Sequence, residues 1–114
     1  MKIETSDHKI WYEPATATLY FKGVMREAGI ADYKPTEELL QQALADDPGT
    51  ITMNIRKLEF LNSSGTSVLS RFIIGVRKKK TIELVVQGSK TIPWHEKIVR
   101  NWQRLMPALT QQWE

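Results

Sequence analysis

Residues 50–55 alternate strictly. Thr50-Ile51-Thr52-Met53-Asn54-Ile55 places Ile51, Met53 and Ile55 on one face of a strand. Leu58 and Phe60 follow. The pattern then changes period. From Ser64 to about Lys79, the residues Val68, Leu69, Phe72, Ile73 and Val76 form one stripe at helical spacing. Ile74 falls off that stripe, and Gly75 sits in the helix interior at some cost. Ile82-Glu83-Leu84-Val85-Val86-Gln87-Gly88 is nearly continuous in apolar residues, which predicts a strand covered on both faces. Trp94, Ile98, Trp102 and Leu105 predict a last helix, opened by Pro93 and ended by Pro107. Leu109 to Trp113 is either a closing edge strand or a frayed tail.

The first half is less regular. Ile10–Glu13 and Thr16–Gly23 read as two strands interrupted by Pro14, an antiparallel pair. Met25 to Lys34 reads as a polar loop with Gly29 inside it. Pro35-Thr36-Glu37-Glu38 predicts a helix start capped by Thr36. Leu39, Leu40, Ala43 and Leu44 continue that helix until Asp46-Asp47-Pro48-Gly49 ends it. The order is β-β-α-β-α-β-α, an α/β fold with a mixed central sheet of four to five strands and helices packed on it. Alternating strands and helices in the second half imply right-handed crossovers and parallel neighbours.

Composition narrows the class. A chain of 114 residues with 41% hydrophobic and 25% charged residues suits one globular domain over residues 1–114. Cysteine is absent, which excludes disulfides, thiolate metal sites and cysteine nucleophiles. No signal-like or membrane-length apolar run occurs, so a cytoplasmic protein with no membrane partner is expected. The net charge of +3 is concentrated in Arg77-Lys78-Lys79-Lys80. Cations at a helix C-terminus offset the negative end of the dipole. No aromatic residue interleaves with them, so no nucleic-acid partner is expected.

Enzyme chemistry is sparse. His8 and His95 are the only histidines, and neither belongs to a spaced metal-ligand set. His95 reads as an ordinary surface residue. Ser6-Asp7-His8-Lys9 matches Ser-x-x-Lys by letters alone, in a segment read as mobile. No nucleophile elbow, phosphate loop or dinucleotide fingerprint is present. No catalytic residue, metal or cofactor is expected.

One segment demands explanation. Asn62-Ser63-Ser64-Gly65-Thr66-Ser67 is polar or glycine throughout, and it joins a strand to a strong helix. A serine or asparagine there caps the helix, worth about 1 kcal/mol. The same helix end tolerates added negative charge, and phosphorylation would bring about −1.5 to −2. The residues alone support cap and switch equally.

Leu61-Asn62-Ser63-Ser64-Gly65, with the apolar helix after it, resembles the Asp-Ser-Ser-Gly signature of STAS domains, in particular bacterial anti-sigma factor antagonists. The element order matches that fold as well. The resemblance implies a protein-binding module with a serine phosphorylated by a partner kinase and dephosphorylated by a PP2C-type phosphatase. Ser63 occupies that position. Asn62, Ser63, Ser64, Gly65 and Thr66 would then face the partner, an anti-sigma kinase or related regulator, with Ile74 a further contact. Two features depart from the antagonist pattern. Asn62 stands where the family has aspartate, and the stretch from Met25 to Lys34 has no place on it. Asn62 resembles instead the Leu-Asn-Thr-Ser-Ser-like segment of phosphoproteins that control diguanylate cyclases. An alternative is a domain of the same fold that binds a nucleotide or other anion at backbone amides near Ser64–Thr66.

Overall fold

The computed structural model describes residues 1–114. Six strands form one sheet in sequential order, β1 (Lys2–Glu4), β2 (His8–Glu13), β3 (Thr18–Met25), β4 (Thr50–Leu61), β5 (Glu83–Gly88) and β6 (Thr110–Trp113). The first three pair antiparallel, and β3 to β6 run parallel. Three helices make the parallel connections: α1 (Lys34–Ala45), α2 (Ser63–Lys79) and α3 (Pro93–Leu105). A short 3-10 helix, Ile30–Tyr33, leads directly into α1.

Strand order fixes the layering. Each crossover steps to the next strand in the same direction. Right-handed connections that all step one way leave their helices on a single face of the sheet. The burial pattern agrees. Ile10 and Tyr12, Ile51, Met53 and Ile55, and Leu84 and Val86 are buried under the helices, whereas the alternate residues are not. β5 therefore does not have two covered faces. Leu84 and Val86 enter the core, but Val85 is half-buried on the open side. Its apolar run looks like that of a doubly covered strand, but no second helical layer exists to cover it.

The sheet has six strands rather than four to five. Lys2–Glu4 adds an edge strand that is too short to show a period, and Thr110–Trp113 is a paired strand, not a tail. The N-terminal segment is held in place: Thr5 Oγ1 accepts bonds from the amides of Asp7 and His8, and the His8 side chain is buried. The α1 start also differs from expectation. Tyr33 is the N-cap residue and Thr36 is buried one turn inside, because the 3-10 helix feeds α1 without a break. The basic run sits at the end of α2, with Lys80 closing it in the left-handed region (φ 61°). Gly75 leaves room for Leu44: an added Cβ would lie 3.1 Å from Leu44 Cδ1, so the glycine sets how closely α1 and α2 approach.

Candidate functional site

At the carboxyl end of β4 the chain turns into α2, the edge where ligands and partners commonly meet parallel sheets. Asn62 is the N-cap. Its Oδ1 accepts the Gly65 amide at 2.8 Å and the Tyr33 hydroxyl at 3.1 Å. Its side-chain N–H donates to the Glu27 carbonyl at 2.8 Å. Its own amide donates to Met25 O, and its carbonyl accepts both the amide and the hydroxyl of Thr66. The Tyr33 hydroxyl also accepts the Glu27 amide at 3.0 Å. Burial raises the Tyr33 phenol above its ordinary value, so it remains an O–H donor at neutral pH.

This network explains both departures from the antagonist pattern as one feature. Residues 26–33 are not a free loop. They fold over the end of β4 and are pinned there by Asn62. The pin needs an N–H aimed at the Glu27 carbonyl, and a carboxylate has none. Aspartate would set two acceptors against each other.

Of the expected site residues, Ser63 alone is exposed. Ser64 and Thr66 are half-buried, and Asn62 is fully engaged in the cap. Gly65 is buried, with room for no Cβ: one placed there would come to 2.7 Å from Leu61 Cδ1 and 3.2 Å from Tyr33 Oη. Gly65 therefore serves close packing beneath the turn. Ile74 is half-buried on α2, away from Ser63 by three helical turns. For an anion at the helix start, two of the expected amides, Gly65 and Thr66, are already taken.

A groove of about 320 Å³ lies beside the turn. Phe60, Leu61, Thr66, Trp94, Ile98 and the stem of Lys97 line it. Phe60 is 49% exposed, unusual for its size. Trp94 and Ile98 belong to the apolar stripe read from the sequence together with Trp102 and Leu105. The true core face of α3 is His95, Val99 and Trp102, one position further on. Reading His95 as polar surface shifts the stripe by that one residue.

His95 is fully buried. Its Nδ1 accepts the Ser89 amide at 3.1 Å, so its Nε2 carries the proton and donates to the Leu58 carbonyl at 2.7 Å. Burial pushes the imidazole below its ordinary value, and the bond to Leu58 partly opposes this. With both nitrogens engaged, His95 ties α3 to β4 and β5 and has no free nitrogen to serve as a base for the serines. Trp94 Nε1 adds a second tie to the Glu59 carbonyl at 2.9 Å. No cluster of three or more His, Asp or Glu side chains is placed to hold a metal ion. No helix is long and apolar enough to cross a membrane.

No protein-family model matches the chain, and no curated protein matches it in sequence. Comparison with solved structures gives a full-length likeness to SiaC from Pseudomonas aeruginosa, in the crystal structure of the diguanylate cyclase SiaD in complex with its activator SiaC. The TM-score is 0.77 at 11% sequence identity, covering 100% of this chain and 99% of the other. In fold, the chain is a STAS-like α/β domain, built as the activator SiaC is built.

Proposed function

We propose that this chain is a regulatory protein-binding module, not an enzyme, and that charge at Ser63 sets its affinity for a partner. One observation carries the reading: the exposed Ser63 opens α2 two residues after Leu61, which lines an apolar groove, while Asn62, Gly65 and Thr66 are committed to the cap. A phosphate at the first position of α2 meets the positive end of the helix dipole, so the fold bears the charge. A partner seated on Phe60, Trp94 and Ile98 would meet that charge at its edge. Desolvating it, or bringing an acidic partner against it, weakens binding.

The likeness to SiaC supports a protein partner, since that neighbour is a cyclase activator seen in complex with the cyclase. Such a switch requires a kinase and a phosphatase, and the resemblance at Leu61–Gly65 makes them a serine kinase and a PP2C-type phosphatase acting in the cytoplasm. The same resemblance points to an anti-sigma kinase or a diguanylate cyclase as the kind of partner. Asn62 favours the second, because the same asparagine departs from the antagonist signature.

Two measurements test this. Intact mass of the protein from its native cell, with and without phosphatase, should differ by one phosphate that maps to Ser63. In pull-downs, Ser63→Ala should retain a partner that Ser63→Asp loses, and Phe60→Asp should lose it irrespective of residue 63. Equal recovery by both Ser63 variants would count against the switch.

A further inference from the structure

The sheet's open face carries a row of like charges. Lys9 pairs with Lys22 across β2 and β3, and Lys22 pairs with Lys57 across β3 and β4. Directly paired residues project to the same side. None of the three forms an ion pair; the ion pairs of the chain lie elsewhere. Glu4 stands opposite Lys9 at the outer end, but Lys22 lies between two lysines, and like charges set directly opposite destabilise a sheet, so folding alone gives no reason for that arrangement. The adjacent row on the same face is aromatic. Trp11 pairs with Tyr20, and their rings stack at 4.9 Å and 11°. Lys9 Nζ covers the Trp11 ring at 4.8 Å. Beyond Tyr20 the face is concave, a hollow of about 590 Å³ that Lys22, Arg56 and Lys57 also line. Arg56 is fixed there, its Nε donating to the Gly88 carbonyl at 3.3 Å and its guanidinium paired with Glu114 at 2.9 Å.

We propose that this hollow binds a free nucleotide. The base lies between the Tyr20 ring and the Arg56 guanidinium, two planar groups that both stack on aromatic rings. The phosphates lie on Lys22 and Lys57, replacing repulsion by attraction. The volume is that of a small-ligand site. A mononucleotide fits where a strand does not: Glu4, opposite Lys9, and Glu114, on the wall of the hollow beside Arg56, bound the row with acids, so no basic track leads away from it. The site is separate from the Ser63 turn and does not depend on the reading given to it.

Titration of the full chain with ADP and GDP, followed by calorimetry and by amide chemical shifts, tests the assignment. Saturable binding is expected, with shifts grouped at Tyr20, Lys22, Arg56 and Lys57. The double variant Lys22→Ala/Lys57→Ala should weaken binding at least tenfold, and Tyr20→Leu should do likewise. Tyr20→Phe, which keeps the ring, should bind as wild type does. Removing the same charge at Lys78 and Lys79 should change nothing. All these lysines are exposed, so unchanged far-UV circular dichroism is expected and a loss of affinity reads the site. Absence of saturable binding at millimolar nucleotide overturns the proposal. So do shifts confined to residues 62–66, or pyrophosphate binding as tightly as ADP.

Discussion

Asn62 shows how one atom can decide a site. Its side chain accepts from Gly65 and Tyr33 and donates to Glu27, so only an amide satisfies all three. Asn62→Asp keeps the cap and gains charge at the helix start, worth about 0.3–1 kcal/mol. It loses the bond to Glu27 and opposes a carboxylate to a carbonyl, a larger cost of about 1–3 kcal/mol. Urea denaturation should therefore show a net loss of roughly 1 kcal/mol, and a variant as stable as wild type would refute the pinning role. Tyr33→Phe removes a buried hydroxyl that bridges Glu27 and Asn62, and should cost about 1–2 kcal/mol. It should also speed amide exchange at Glu27. Sequence marks Asn62 as a cap or switch candidate, since capping is local. Its partners are not legible, because they stand 29 and 35 positions away and no period links them. His95 was hidden for a related reason. Its polarity says surface, but two backbone groups satisfy it in the core. Its folded-state pKa is depressed, so as pH falls the unfolded chain takes up the proton first. The neutral ring's stabilisation is present above the ordinary histidine value of about 6.5 and is lost as pH drops through it toward the folded value. Thermal midpoints should fall between about pH 7.5 and 5.5, and His95→Gln should flatten that slope.

At the scale of elements, period found nearly every helix and strand but did not separate core from surface on α3 and β5. The stripe Trp94, Ile98, Trp102, Leu105 is genuine, yet it straddles the boundary between core and groove. His95, Val99 and Trp102 point inward; Trp94 and Ile98 are shoulders that pack against the core and line the groove. The two assignments predict opposite results. Val99→Ala removes fully buried methyl groups and should cost about 2 kcal/mol, whereas Ile98→Ala, larger by volume removed but half-exposed, should cost under about 1 kcal/mol. Chemical denaturation of the two variants decides between them, and a greater loss at Ile98 would restore the simpler stripe. The same distinction matters for partner binding, since a groove made of core residues would not be available to another protein. β5 was misjudged through composition: apolar on both faces, it lies under helices on one only.

The whole molecule is asymmetric because its parallel strands advance in one direction, 3-4-5-6, and all three helices fall on one side. That follows from handedness and the spatial strand order together, and the order of elements along the chain does not fix the second: the apolar run of β5 pointed instead to two covered faces. What the open side carries was not legible either, since cross-strand neighbours depend on register, and a bulge interrupts the register between Tyr20 and Lys22. The consequence is a surface whose electrostatics are largely separate from the core and from the Ser63 turn. The lysine row should therefore report on itself alone. Lys57→Glu sets an acid opposite Lys22 in place of a like charge, and should stabilise the fold by roughly 0.5 kcal/mol at low salt. Between about 0.1 and 1 M salt the screening length falls from about 10 to 3 Å, so the advantage over wild type should shrink. Thermal melts of the two proteins across that range make the comparison, with the general effect of salt on the core cancelling between them. A variant that gains nothing at low salt, or whose gain ignores salt, would mean that the three lysines already avoid one another. The open face would then carry no unbalanced charge for an anion to relieve.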